Sequence, residues 1–450
     1  MNSAARSKPN RSKPSRLRFW VSIALSLAAV FGAGRAETML AAAPGPLAQP
    51  EKQAAPAAAT VADAGRKPQL DRAGLGPAGP RNSAPRPPAP SGVVFSGRYE
   101  EIAKVKIQMQ QLLVQMNWTE GQVQILEGPQ GKQVAYVLNS SPGDVSTLEL
   151  ARRPQLGLAP EAIAFRDRHD HERTLSLVSQ KEILAAMLQH GRATAFSGEN
   201  CSVARLQEQL ALRQNIVYWG SRADWVFPED KIYRYNTAEH WEEMIGDDWT
   251  IKPQTRPSQA IADAFVGKFS YQIGCTSACR FIVAHGIFDY FARVQPNPAV
   301  LARMEASLDP RRPFLEMAPT VDRQGVVRKE GLFVDRQFDV PSEHWIPGDW
   351  GWIKNLDAKS AEELGSEGCN IIYAGGGMFV NYYPERPPKT LDQSIKRVYG
   401  WQFGIEEGDL ALRAELAKQL RQDPRAGGML RDVRDVPKFF SSASAPRPGA

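Results

Sequence analysis

The stretch FSYQIGCTSACRFIVAHGIFDYF, residues 269–291, contains the most apolar helix that the sequence predicts. The helix is expected to begin at Cys275, directly after the loop QIG. At a helix N-terminus, unpaired backbone N–H groups and the positive end of the dipole favour a thiolate over a thiol. The same N–H groups can hold an oxyanion during acyl transfer. Cys275 is therefore a candidate nucleophile; the alternative interpretation is a cysteine buried in a helix.

Upstream of this stretch, apolar residues recur mostly with helical spacing. Helices are predicted over 99–118, 179–190, 202–217 and 257–269, and a strand over 133–139. Ser179 and Ser202 precede two of these helices and fit the N-cap position. Glu182, three residues after Ser179, completes a possible capping box.

Downstream, the pattern changes from helices to strands. Short apolar or alternating runs predict strands at 331–334, 350–354, 370–374 and 378–383. Gly375-Gly376-Gly377 lies between the last two runs. A hairpin turn is favoured over a phosphate-binding loop there, because a phosphate loop needs a helix to follow it. Helices followed by strands, mostly with short links, predict an α+β domain with an antiparallel sheet.

The formal charge of +6 comes from the N-terminal part of the chain. Residues 1–92 contain 13 Lys and Arg against 4 Asp and Glu, which leaves 42 basic and 45 acidic residues for 93–450. No stripe of basic residues with interleaved aromatics occurs in that part. Nucleic-acid binding needs a basic face on the folded domain, so nucleic acid is not an expected partner.

The first 36 residues have the layout of an export signal. Six basic residues precede the apolar run 19–33, and small residues follow, with cleavage expected after Ala36 or after 41–43. The run is shorter than the roughly 20 residues that span a bilayer. An uncleaved signal anchor is the alternative. The protein is expected to be periplasmic or extracellular, with membrane contact only through an uncleaved leader.

Composition and pattern divide the remaining chain into four parts. Residues 37–92 are rich in Ala and Pro and predict a disordered linker. An N-terminal α/β segment of unknown role, 93–198, precedes the main domain, 199–422. Residues 423–450 are expected to be a disordered tail.

Several motifs occur in a fixed order between residues 201 and 403: RLQEQLALRQNIV, NTAEHW, RPSQAIADAF with FSYQIGCTSA, PGDWGWIKN and SEGCNII. Together they resemble the bacterial spore-coat transglutaminases. The resemblance implies a papain-like cysteine acyltransferase fold, in which the helix carrying Cys275 packs on the antiparallel sheet. It also implies protein-glutamine gamma-glutamyltransferase activity without a cofactor. The implied partners are glutamine- and lysine-bearing proteins or envelope polymers.

The family's catalytic constellation is matched only at the nucleophile, Cys275. Gly274 stands where the family has a Glu before the nucleophile, Cys369 occupies the catalytic Glu position, and Tyr382 occupies the His position. A tyrosine with a pKa of about 10 is a poor base at neutral pH. His344, in SEHWIPGD, is the replacement base that the sequence offers.

Other candidate groups are assigned structural roles. Cys279, one turn after the nucleophile, is expected to pack in the core. His285 lies ten residues along the same helix, about 15 Å of rise from Cys275, and is too distant to act as its base. His169 and His171 have no further ligands at a recognisable spacing, so a solvated loop is favoured and no metal is predicted.

Two function classes remain open. The first is an active transglutaminase-type acyltransferase, and the second is a catalytically degenerate relative that binds proteins or envelope polymers. Because the resemblance places Cys369 across the cleft from Cys275, an exported chain can also form a disulfide between them. Two free thiols, or a different pairing such as Cys201 with Cys369, are the alternatives.

Overall fold

The computed structural model describes residues 91–436, except 141–145, 190, 228–238, 243–249, 268–270, 315–316, 322–326, 330, 339, 364, 381, 384–387, 406–414, 417–418, 421 and 424–428. The predicted leader, nearly all of the linker and the last fourteen residues of the tail lie outside the described residues. No helix in the described part is long and apolar enough to cross a membrane.

The chain begins with a mixed segment, continues with helices between residues 203 and 307, and ends with strands and a further helix. The helices are α1 (Tyr99–Gln115), α2 (Gln180–Leu188), α3 (Val203–Arg222), α4 (Pro257–Val266), α5 (Cys275–Asp289), α6 (Pro298–Ser307) and α7 (Leu391–Gly400). The strands are β1 (Gly92–Ser96), β2 (Val123–Glu127), β3 (Gln133–Leu138), β4 (Glu161–Arg166), β5 (Glu172–Leu177), β6 (Ala193–Ser197), β7 (Thr320–Val321), β8 (Val327–Lys329), β9 (Asp335–Phe338), β10 (Trp350–Lys354), β11 (Gly368–Gly375), β12 (Met378–Phe379), β13 (Lys389–Thr390) and β14 (Leu430–Asp435).

The predicted helix starts are confirmed by their caps. The Ser179 hydroxyl accepts the N–H of Glu182 at α2, and the Ser202 hydroxyl accepts the N–H of Arg205 at α3, both at 3.3 Å. The Glu182 carboxylate does not complete the capping box. It accepts the backbone N–H of Gly376 instead, at 2.5 Å. The cap of α2 is thereby tied to the β11–β12 hairpin.

Two larger sheets organise the described residues. Strands β2-β3-β1-β6 form a four-stranded sheet, in which β1 pairs antiparallel with β3 and parallel with β6. Strands β13-β12-β11-β10-β14-β9 form a six-stranded sheet, whose pairs are all antiparallel. Helix α5 packs against α3, α4 and β11. The predicted α+β class, with the Cys-bearing helix on an antiparallel sheet, is confirmed.

The triple glycine forms the predicted hairpin turn between β11 and β12. Gly375, Gly376 and Gly377 have φ values of +87°, +62° and +75°, a region that residues with a Cβ rarely adopt. Strand β12 follows directly, so the turn does not lead into a helix.

The prediction of a strand at 331–334 is wrong. These residues form a bend, and the strand β9 begins at Asp335. Phe333 and Val334 are fully buried in the core under α5, and the N–H of Phe333 donates to Met317 O. The apolar run therefore reflects core packing of a connection. The strand predicted at 378–383 is shorter in the structure and ends at Phe379.

The prediction of a disordered tail from 423 is wrong for β14. This strand lies between β10 and β9 in the six-stranded sheet, and Asp432, Arg434 and Asp435 are buried. The sequence LRDVRD has little apolar character. Asp432 and Asp435 are nevertheless buried, because they pair with arginines on neighbouring elements.

Helix α3 joins two apolar cores. Leu210 and Val217 belong to the core under the N-terminal sheet, whereas Leu212 and Ile216 belong to the core around α5. At Gly286 of α5 the two helices approach so closely that a Cβ would lie 2.8 Å from the Cα of Ile216. The segment 93–198 thus shares α3 with the domain that carries Cys275.

Candidate active site

Cys275 is the first residue of α5 and is half-buried. Gly274 precedes it in an extended conformation and provides no side-chain cap, so the first N–H groups of the helix are not taken by a capping side chain. The thiol lines a cavity of about 60 Å³. The other lining residues include Phe227, Cys369, Ile371, Phe379, Tyr382, Tyr383, Lys389, Arg397 and Trp401.

Asn370 on β11 contacts the Cys275 sulfur directly. Its Nδ2 group donates to Cys275 Sγ at 3.4 Å and to Thr276 Oγ1 at 2.9 Å. Its Oδ1 atom accepts from Trp350 Nε1 at 2.8 Å and from Arg434 Nη1 at 3.2 Å. Both donors and both acceptor positions of the amide are used. The two donors to Oδ1 fix the amide so that its NH₂ group faces the thiol.

Arg434 reaches this site from β14. It is paired with Trp350 across the β10–β14 ladder, and its guanidinium lies 4.0 Å from the Trp350 ring centroid. Burial lowers the pKa of Arg434, while Asp432 and the nearby thiols oppose that change. An arginine stays protonated under such conditions, so Arg434 is a buried cation beside the cysteines.

The residues at the family's Glu and His positions both lie at the cavity. Cys369 Sγ is 3.6 Å from Asn370 O, and the Tyr382 hydroxyl donates to the same carbonyl. Burial raises the pKa of Tyr382 well above its usual value. A neutral phenol engaged with a carbonyl does not take a proton from Cys275 at neutral pH.

None of the four cysteines forms a disulfide in this structure. Cys275 and Cys369 share a cavity, as the resemblance implied, but they are not joined by a disulfide. Cys279 is completely buried in the core, as predicted, and burial raises its pKa well above the usual value. Cys201 belongs to the core under the N-terminal sheet.

The structure does not bring His344 to the nucleophile. Its ring lies against Gly191, where a Cβ would be 2.0 Å from His344 Nε2, and it does not line the Cys275 cavity. No described histidine lines that cavity. His285 is buried between Trp219 and Phe265, and burial lowers its pKa to about 3.

A group of possible metal ligands occurs away from this cavity. Ligand atoms of Glu239, His240 and Asp263 lie within 4.8 Å of one another. The Asp263 carboxylate already accepts the Tyr271 hydroxyl. None of the three lines the Cys275 cavity, so a cation bound there would not contact the thiol.

The sequence analysis did not assign the partners of Cys275. Asn370 and Trp350 occur in the motifs SEGCNII and PGDWGWIKN, so the motifs contained the signal for them. Arg434 lies in the segment that was predicted to be disordered. Only the pairing of β14 with β10 brings it to the site.

Comparison with known proteins identifies one family. The model of the protein-glutamine gamma-glutamyltransferase family matches residues 163–383. The resemblance to transglutaminases is therefore confirmed, and the match begins inside the predicted segment 93–198. No curated protein is significantly similar in sequence. A transglutaminase structure from Geobacillus stearothermophilus, without its C-terminal extension, shares 23% identity with a TM-score of 0.31 over 43% of this chain and 83% of that chain.

Proposed function

We propose that this transglutaminase-like protein is a cysteine acyltransferase that joins glutamine side chains to amines. The observation that carries the proposal is the hydrogen bond from Asn370 Nδ2 to Cys275 Sγ, at a helix start within the family match. A hydrogen bond to sulfur favours the charged form of the thiol, and so does the helix N-terminus.

In the proposed first step, the Cys275 sulfur attacks the carbonyl carbon of a glutamine carboxamide. The C–N bond breaks, the thiol proton leaves with the nitrogen as ammonia, and a thioester forms. In the second step a primary amine attacks the thioester. An amide forms, and the proton lost by the amine restores the Cys275 thiol. In both steps the uncapped N–H groups at the start of α5 would hold the oxyanion.

Incorporation of a biotinylated primary amine into dimethylated casein by the full chain tests this function. We expect label on casein with the wild-type protein and none with Cys275→Ala. Cys201→Ala is the matched control, because it removes a buried cysteine from the other apolar core. Label that persists in Cys275→Ala would contradict the proposal.

The second candidate is a catalytically degenerate binding module for proteins or envelope polymers. The observation that favours it is the absence of a histidine from the described lining of the cavity. Such a module would retain a folded cavity and an alkylatable Cys275 but would not label casein. Retention of a glutamine-bearing peptide by Cys275→Ala, measured by titration calorimetry, would then identify binding as the function.

Export is part of the proposal, because the basic N-terminal residues and the apolar run that follows favour it. Sequencing the N-terminus of the protein from its native compartment tests export. We expect a start directly after Ala36 or near residue 43. An intact chain found only in the cytosol would contradict it.

A further inference from the structure

Asn370 contacts the nucleophile, but a neutral amide brings no charge to a thiolate. A thiolate in a partly buried cavity is stabilised chiefly by a nearby positive charge. In other cysteine enzymes an imidazolium provides that charge. The described residues lining this cavity include no histidine. The cations near the site are Lys389 and Arg397, which line the cavity, and Arg434, which donates to Asn370.

Two arginines and one aspartate form a buried group on β9 and β14, which we call the cationic cluster: Arg336, Asp432 and Arg434. The Asp432 carboxylate is 2.5 Å from Arg336 Nε but 3.5 Å from Arg434 Nη2. Asp432 therefore neutralises Arg336 first. With two cations and one anion, the cluster has an excess positive charge, and that charge belongs mainly to Arg434.

The Nη1 group of Arg434 faces Asn370, whereas its Nη2 group is the one nearer to Asp432. Its Nη1 group donates to Asn370 Oδ1, and the opposite end of that amide donates to Cys275 Sγ. The Trp350 ring covers the guanidinium face and holds it in place by a cation–π contact. A chain of two hydrogen bonds thus links a buried cation to the nucleophile.

We propose that Arg434, from a strand outside the family match, is the positioning residue that holds Asn370 against Cys275 and supplies the positive charge that stabilises its thiolate. The inference rests on the proposed role of Cys275 as nucleophile. It assigns a function to a segment that neither the motifs nor the family match includes.

Other charged or titratable groups also surround the thiol and have to be distinguished from Arg434. They are Cys279 on its own helix, Cys369 on β11, Tyr382 and Tyr383 after β12, Lys389 on β13 and Arg397 on α7. Cys279 and Tyr382 are neutral thiol and phenol groups at pH 7, because burial raises both pKa values. Arg434 differs from Lys389 and Arg397 because, with Trp350, it occupies the acceptor positions of Asn370 Oδ1.

The test is the pH dependence of Cys275 alkylation by iodoacetamide in the full chain, read by peptide mapping between pH 5 and 9. In Arg434→Met we expect the midpoint to rise. Once the midpoint lies above pH 7, the rate at pH 7 falls about tenfold for each further unit of rise. Arg434→Lys retains the positive charge but loses the planar guanidinium that donates to Asn370. We expect its midpoint to lie between those of the wild type and Arg434→Met.

Arg336→Met is the matched control. It removes a buried arginine from the same cationic cluster, but this arginine makes no described contact with Asn370. Asp432 is then left to pair with Arg434, so we expect a loss of stability and some rise of the midpoint. The rise should be smaller than in Arg434→Met, which also loses the hydrogen bond to Asn370. Equal shifts in Arg336→Met and Arg434→Met would overturn the proposal.

An unchanged midpoint in folded Arg434→Met would also overturn it. If Arg434→Met does not fold, Arg434→Lys decides, because an unchanged midpoint there excludes the positioning role. The alkylation measurement does not depend on amine incorporation. A protein that labels no casein still reports whether Arg434 activates Cys275, so the two proposals fail independently.

Discussion

Strand β14 contributes charged side chains to two buried clusters that differ in charge balance. Asp435 joins Asp349, Arg192 and Arg213, a group of two cations and two anions that we call the balanced cluster. Arg192 reaches Asp349 at 2.5 Å and Asp435 at 2.7 Å, and Arg213 Nη1 reaches Asp349 at 2.9 Å. Arg213 Nη2 also pairs with Asp435.

The cationic cluster has one anion for two cations and lies beside Asn370. The balanced cluster ties α3 and the start of β6 to the six-stranded sheet, and none of its members lines the Cys275 cavity. The difference teaches that a buried charge group with a matched anion serves to join elements. In a group with an unmatched cation, the excess positive charge can stabilise the thiolate of a neighbouring cysteine.

The largest effect is expected from removing the strand that both clusters share. A chain that ends at Gln422 lacks Asp432, Arg434 and Asp435 and leaves Arg192, Arg213 and Arg336 buried without those partners. We expect no cooperative urea transition, as measured by far-UV circular dichroism. A chain that ends at Val436 is the control and is expected to fold. Native-like unfolding of the shorter chain would show that β14 is dispensable.

Breaking the balanced cluster is expected to be the next most damaging change. Arg213 is fully buried, and Arg213→Met leaves two carboxylates to share Arg192. Loss of one partner of a buried pair costs about 3–5 kcal/mol, which urea unfolding measures. Arg205→Met, at a partly exposed pair with Glu208, is the control and should cost about 1 kcal/mol or less. Equal costs would contradict the importance of burial.

In the cationic cluster, Arg336→Met is expected to cost less, because Asp432 retains Arg434 as a partner. The cost should be near that of an imperfectly satisfied buried group, about 1–3 kcal/mol. Comparison of its urea midpoint with that of Arg213→Met ranks the two clusters. A greater loss in Arg336→Met would reverse the ranking that charge balance predicts.

Acid should weaken the balanced cluster through Asp349. Burial raises its pKa, but Arg192 and Arg213 outweigh burial and hold the pKa below its usual value. Because the folded pKa is depressed, this stabilisation is present above about pH 4 and is lost as the pH falls through the folded pKa. It amounts to about 1.4 kcal/mol for each unit of depression. The stability difference between wild type and Asp349→Asn, from urea unfolding, should therefore shrink below pH 4. A constant difference would contradict this account.

Local chemistry made much of the fold predictable. The caps at Ser179 and Ser202, the glycine hairpin and the start of α5 at Cys275 depend on neighbouring residues, so sequence patterns indicated them. The bend at 331–334 was not predictable in this way, because its apolar residues pack in the core under α5, which is distant in the sequence.

The site was predictable only in part, for a similar reason. Cys275 follows from its helix start, whereas its hydrogen-bond partner depends on the register of β10, β11 and β14. Arg434 and its neighbours are charged, and a charged hexamer indicates solvent exposure unless its partners are known. Those partners lie about 100 residues away, on β9, or further, on α3.

The smallest effect is expected from Trp350→Phe, which separates the neutral donor to Asn370 from the charged one. The variant removes the indole N–H that donates to Asn370 Oδ1 and retains an aromatic ring under Arg434. Loss of one hydrogen bond should cost about 1 kcal/mol. Charge-assisted hydrogen bonds are about twice as strong as neutral ones, so the Arg434 bond should still hold the amide. We therefore expect a smaller rise in the Cys275 alkylation midpoint than in Arg434→Met.

Trp345→Phe is the control, because its buried indole N–H has no hydrogen-bond partner among the described residues. A midpoint that rises as far in Trp350→Phe as in Arg434→Met would show that orientation of Asn370, and not the cation, activates the thiol.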